Sequence, residues 1–200
     1  MKIVFIEWES FGKEDVKEAF RAEGHEMVSF PVSIEEDLDD APVLEDRLSL
    51  VLRRETPDIV FSINYFPAIS NVCNRECIRY ISWIYDAPYA RLYSQTVLNP
   101  CNQVYVFDKE TCMEFRNAGV DTVLYLPLAV NTDRLDTVTV SAGALELRYD
   151  VSFVGSFYVE KNDYFDQMAS GVSDFTRGYL DAVIAAQMKI QGYDFVESVL

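Results

Sequence analysis

Positive charge is what this sequence has least of. Seventeen Lys and Arg face thirty-three Asp and Glu, His25 is the single histidine, and the net charge is −16. A chain this acidic is set against a phosphate backbone, so a nucleic-acid partner is excluded as an expectation. An anionic membrane surface is equally unsuited, and the one local basic group is Arg47, Arg53 and Arg54. There is no apolar run of about 18 residues or more, so no membrane span is expected. Met1-Lys2-Ile3-Val4-Phe5-Ile6-Glu7 lacks the cleavage pattern of a secretory leader and reads as a strand instead, which predicts a cytoplasmic protein. Cysteine is sparse. Cys73, Cys77, Cys101 and Cys112 form no paired C-x-x-C motifs, and with one histidine they are expected to be buried thiols rather than zinc ligands. No metal and no cofactor is expected. The dinucleotide fingerprint G-x-G-x-x-G is missing too, as are internal repeats and low-complexity tracts.

What the chain does have is apolar and aromatic residues, enough for a large core. The densest stretch is Arg79-Tyr80-Ile81-Ser82-Trp83-Ile84-Tyr85, running into Asp86-Ala87-Pro88-Tyr89. Such a run suits a central parallel strand covered by helices on both faces. Pro88 cannot continue a ladder, so the strand ends near Asp86 and leaves a carboxylate at its carboxyl end. Ligands of open α/β sheets bind along that edge.

The rest of the first 130 residues alternates strand and helix. Residues 2–8 form a first strand, Ser10-Phe11-Gly12 a tight loop, and 13–23 a helix with Val16, Ala19 and Phe20 on one face. A loop with Gly12 at a helix start can present backbone N–H groups to a polar ligand. A second strand spans 25–30. The acidic stretch 33–43 is read as solvated. A helix over 44–55 precedes a third strand, 58–64, which leaves Asn64-Tyr65-Phe66-Pro67 at its carboxyl end. Short helices are expected over 69–77 and 91–98. A fifth strand at 103–107 ends in Asp108, a helix covers 109–118, and 122–126 is a sixth strand. The alternation predicts an α/β fold, a Rossmann-like doubly wound parallel sheet with right-handed crossovers, followed by a C-terminal helical segment.

After residue 130 the pattern changes. Residues 131–148 are polar and weakly patterned and read as a linker. Tyr149 to Ser156 reads as a strand entering a turn at Gly155, followed by helices over 162–170 and 175–191. A lone strand cannot satisfy its own edges. The expectation is therefore a domain over 1–130, a linker over 131–148, and the start of a second domain over 149–200.

An ordered series of short motifs then carries a family resemblance. It comprises Trp83-Ile84-Tyr85-Asp86-Ala87-Pro88, Val106-Phe107-Asp108-Lys109, Gly119, and Leu126-Pro127-Leu128-Ala129-Val130-Asn131. It continues with Tyr149-Asp150-Val151-Ser152-Phe153-Val154-Gly155-Ser156, Gly178-Tyr179-Leu180 and Ala186-Gln187. In this order the series resembles the CgeB-like glycosyltransferases over about the whole chain. The resemblance implies the two-domain GT-B arrangement, an acceptor-side first domain, a donor-binding second domain, and transfer from a nucleotide sugar without bound metal. It also implies that most of the donor domain lies beyond this stretch, so that nucleotide-sugar binding needs the missing part and this stretch alone is inactive. Gly155 and Ser156 match the donor-side glycine turn.

Sugar transfer needs a base near the acceptor hydroxyl. Asp86 is the leading candidate by its position, with Asp108 and Glu7 behind it, since all three end predicted strands on one edge. Ser10, Gly12, Asn64, Tyr65 and Pro88 are candidates for contacting substrate along the same edge. The competing readings are a non-catalytic small-ligand module of receiver or periplasmic-binding type, and an interaction protein using the helices after 157. The receiver reading is weakened by Asn64, which stands where a phosphorylated aspartate would end the third strand.

Overall fold

The computed structural model describes residues 1–33, 41–141, 151, 153, 155, 171–193, 195 and 196. The chain divides into two compact units, Met1–Gly143 and Ala144–Leu200.

The first unit is built on a six-stranded, all-parallel sheet in the order β2-β1-β3-β4-β5-β6. The strands are β1 Lys2–Glu7, β2 Glu26–Pro31, β3 Ile59–Ile63, β4 Arg79–Ile84, β5 Asn102–Val106 and β6 Val123–Tyr125. The helices are α1 Lys13–Ala22, α2 Pro42–Glu55, α3 Pro67–Arg75, α4 Lys109–Asn117 and α5 Thr132–Ser141. This is the expected Rossmann-like doubly wound α/β architecture. The strand order reverses direction between β1 and β3, the kind of switch point beside which open α/β sheets hold ligands.

The helices are distributed unequally, and alternation along the strands shows it. Val4, Ile6, Val60, Tyr80, Ile84, Val104 and Val106 point to one face. There they pack with Leu44, Leu48 and Leu52 of α2, Ile69, Val72 and Cys73 of α3, and Cys112 and Phe115 of α4. Ile3, Phe5, Ile59, Phe61 and Ile63 point to the other face and meet Val16 and Phe20 of α1. On this second face β4 and β5 are only half buried, at Ile81, Trp83, Gln103 and Tyr105. The expectation that helices fully cover β4 on both sides therefore holds on one side only. A single crossover helix, α1, serves the other face, and it sits over β1 and β3.

Three expected elements differ. Residues 91–98 form two single-turn 3-10 helices, Ala90–Tyr93 and Gln95–Leu98, rather than one helix. The helix expected at 69–77 ends earlier, so Cys77 lies beyond α3 with φ 55° and is exposed, against the expectation of a buried thiol, whereas Cys73 is buried. The stretch 131–148, read as a linker, contains α5, which begins where the Asn131 side chain accepts the Arg134 N–H at 3.1 Å.

In the second unit the main described element is α6, Asp174–Gln187, which Ser173 caps by accepting the Thr176 N–H at 3.2 Å. Its Gln187 side chain then folds over the exit turn, donating to the Tyr193 carbonyl at 2.9 Å and accepting the Phe195 N–H at 3.2 Å. Of the strand read over 149–156, only 151, 153 and 155 are described, and none of them is in a strand. The helix read over 162–170 lies outside the described residues. Among the described residues no helix is long and apolar enough to cross a membrane.

Candidate functional site

The carboxyl edge of the sheet is organised by Asn64. The residue is buried and takes the left-handed conformation, φ 61°, that asparagine tolerates better than most side chains. Its backbone N–H donates to the Trp83 carbonyl at 2.9 Å and its Oδ1 accepts the Tyr85 N–H at 3.2 Å, which ties β3 to the end of β4. Its Nδ2 then donates to Asp86 Oδ2 at 2.7 Å. Asp86 is otherwise exposed, so one carboxylate oxygen is anchored and the group is aimed by a rigid neighbour.

The other two carboxylates are engaged structurally. Asp108 caps α4, accepting from the Thr111 N–H at 3.0 Å and the Thr111 hydroxyl at 2.6 Å, and these bonds hold its carboxyl below the usual carboxylate range. Glu7 pairs with the buried Lys17 ammonium at 2.8 Å. The hydrogen bond from Lys17, with one from Ser29, pulls the Glu7 carboxyl down. Both carboxylates are taken up by these structural contacts, whereas Asp86 keeps an exposed face. Asp86, Pro88 and Asp108 line a cavity of about 30 Å³ with Tyr89, Tyr93 and Thr111, room for about one water molecule.

Tyr65 is not on the edge. It is fully buried, its hydroxyl lies 2.7 Å from Thr96 Oγ1, and burial pushes that hydroxyl's pKa up. The left-handed turn at Asn64 sends the next side chain inward, so Tyr65 is a core residue. Ser10 forms the turn after β1 through its N–H to the Trp8 carbonyl at 2.8 Å and lines neither the small cavity nor the groove described next. Gly12 does line that groove, at the N-terminus of α1 with φ 73°.

The groove has a volume of about 950 Å³ and lies on the α1 face. Its floor is Ile63, Trp83 and Tyr85. One wall is Phe11, Gly12 and the exposed side of α1, and the other is the chain from Leu128 into α5. Trp83 lies in β4 and Tyr85 one residue past its end, where the strand was expected to reach, and both line the floor. Tyr85 stacks on Trp8, ring centroids 6.3 Å apart and 12° from parallel, while Trp8 Nε1 donates to the Ile63 carbonyl at 2.8 Å. Burial, then the Asp86 charge, raises the Tyr85 hydroxyl's pKa against a hydrogen bond from the Phe11 backbone. The walls are joined by Arg134, which grips Asp15 through two bonds of 2.8 and 3.1 Å, and by Asn131 Nδ2, which donates to Asp15 at 3.0 Å and to Glu18 at 3.3 Å.

Sequence reasoning named Trp83 and Tyr85 as strand residues, not as a binding surface, and it missed the second wall. The alternation within 83–85 was the available signal for the floor. Nothing in the run Leu128-Ala129-Val130 distinguishes a wall from a loop. Among the described residues no group of three His, Cys, Asp or Glu side chains is placed to hold a metal ion. Gly155, in the second unit, is exposed, and a Cβ there would meet the Phe153 ring at 2.6 Å; Ser156 lies outside the described residues. No protein-family model, no curated protein and no solved structure matches this chain.

Proposed function

We propose that the first unit is the acceptor-side domain of a GT-B glycosyltransferase, with the groove holding a saccharide acceptor and Asp86 serving as the base. The observation that carries this reading is the groove itself. A cavity of about 950 Å³ is floored by Trp83 and Tyr85, and the next residue in the chain, Asp86, is a carboxylate aimed by Asn64 that lines the small cavity described above. Aromatic rings offer flat apolar faces to the C–H faces of a pyranose, while polar groups on the rim meet its hydroxyls.

In this reading Asp86 takes the proton of the attacking hydroxyl. That oxygen forms a bond to the anomeric carbon of the donor sugar, and the bond from that carbon to the phosphate oxygen breaks, releasing the nucleoside diphosphate. Asn64 acts on the base by fixing its orientation, which reduces the cost of reaching a reactive geometry. Handling the donor belongs to the second unit, where the resemblance puts Gly155 and Ser156. A cytoplasmic site of action accompanies the reading.

Saturation-transfer NMR on the full chain, with a panel of neutral saccharides, tests the groove. Transfer from nucleoside diphosphate sugars, assayed with the chain joined to a complete donor domain, wild-type and Asp86→Asn, tests the base, since this stretch alone is expected to be inactive. The expected results are saturable saccharide binding and a transfer rate that depends on Asp86. Saccharide binding with no transfer from any donor would favour the non-catalytic ligand-binding module, and absence of saccharide binding would reject the acceptor role.

A further inference from the structure

The charge and the size of the groove narrow what it accepts. Among the described residues its charged lining is the carboxylates Asp15, Glu18 and Asp133 and one cation, Arg134. Arg134 is committed in a two-pronged bond to Asp15, and the Asn131 amide donor is spent on Asp15 and Glu18. The rim therefore presents acceptors and net negative charge, and the Arg134 and Asn131 donors are already bonded to its carboxylates. A phosphate or uronate entering here meets a rim of net negative charge, three carboxylates against one guanidinium that is already bonded to Asp15, on a chain already at −16. Neutral hydroxyls, by contrast, can donate to those carboxylates. The volume of about 950 Å³ lies near the top of the range, about 300–1,000 Å³, in which pockets enclose drug-sized molecules, so one sugar ring would leave most of it empty.

Resting on the acceptor-side reading, we propose that the groove selects an uncharged oligosaccharide of two or more linked rings. It rejects acidic glycans and the nucleotide portion of the donor.

The test is a titration of the full chain, read by saturation-transfer NMR and by tryptophan fluorescence. The probes are cellotriose, chitotriose and maltotriose, glucose, tri-galacturonic acid and uridine diphosphate. At least one neutral trisaccharide is expected to bind at least tenfold more tightly than glucose and at least tenfold more tightly than tri-galacturonic acid. Asp15→Asn removes one rim charge and loosens Arg134, so the preference for neutral over acidic ligand should fall severalfold; its melting curve checks that the fold is intact. Tri-galacturonic acid or uridine diphosphate binding as tightly as the neutral trisaccharides would overturn the charge selection, and glucose binding as tightly would overturn the size selection. In the first and last of these cases, saccharide binding itself leaves the acceptor reading standing. No binding by any saccharide, neutral or acidic, would remove that reading and this inference with it.

Discussion

Asn64 and Asp86 show how one side chain can define an edge. Asparagine accepts the left-handed turn, donates its backbone N–H to Trp83 in β4, accepts the Tyr85 N–H on its side-chain oxygen, and donates its side-chain amide to the carboxylate. Asp86→Asn keeps an acceptor oxygen for Asn64 Nδ2, so the edge should survive while the base is lost. In the protein joined to a complete donor domain, the transfer rate is expected to fall by about 10²–10⁴. The melting temperature should move by less than about 3 °C, since ~1 kcal/mol shifts a chain of this size by roughly 2–4 °C. Full activity with a clearly lowered melting temperature would make Asp86 a structural residue. Beneath the edge, Tyr80 is fully buried; its hydroxyl lies 2.7 Å from Ser62 Oγ and accepts the Phe66 N–H at 3.1 Å. Tyr80→Phe leaves that N–H without its acceptor, which typically costs about 1–3 kcal/mol. Urea unfolding should show the loss, and an unchanged midpoint would mean the network relaxes around the missing oxygen.

At the scale of elements, a cluster of charges joins α2 to the exit of α3. Glu76 accepts from Arg53 at 2.9 and 2.8 Å and from the Ser49 hydroxyl, with Arg75 3.9 Å away. The Arg53 hydrogen bonds, then the one from Ser49, pull the Glu76 pKa from an ordinary 4.5 to about 2. A carboxyl whose folded pKa is depressed stabilises the fold above its ordinary pKa, and that contribution fades as pH falls toward the folded value. Wild-type stability should therefore drop between pH 4.5 and about 2 more steeply than that of Glu76→Gln. Equal slopes in denaturant titrations across that window would show that the cluster is not linked to folding. The same scale explains what the sequence disclosed. The strands were legible because apolar residues recur on both sides of each, and Pro67 and Pro88 mark where two of them have ended. α5 was not legible, because Thr132-Asp133-Arg134-Leu135-Asp136-Thr137-Val138-Thr139-Val140-Ser141 is rich in β-branched residues that disfavour helix and lacks an apolar stripe. What anchors its start, the Arg134–Asp15 pair, joins residues over a hundred positions apart. Lys17, which no sequence pattern singled out, is buried over the Phe5 ring, 5.5 Å from its centroid, with Glu7 at the end of β1 within reach. The place of Asp86 beyond the end of β4 was legible from the strand pattern, whereas the groove, assembled from four separate stretches, was not.

At the scale of the whole molecule, everything assigned to the acceptor role lies in Met1–Gly143. That unit contains all six strands, both apolar clusters and every residue lining the groove. A domain of about 150 residues buries roughly 68–70% of the surface its unfolded chain would expose, which is enough for independent stability. Residues 1–143 made alone should therefore unfold in a single cooperative transition. They should also bind neutral trisaccharides within about threefold of the full chain, since a factor of three is less than ~1 kcal/mol. Calorimetry and the same fluorescence titration would check both. The two outcomes carry different information. Loss of cooperative melting would show that the half-covered face of β4 and β5 needs residues from beyond Gly143 to be stable. Intact melting with lost binding would show instead that the groove is completed from outside this unit, and the determinants of saccharide recognition would then have to be sought in Ala144–Leu200.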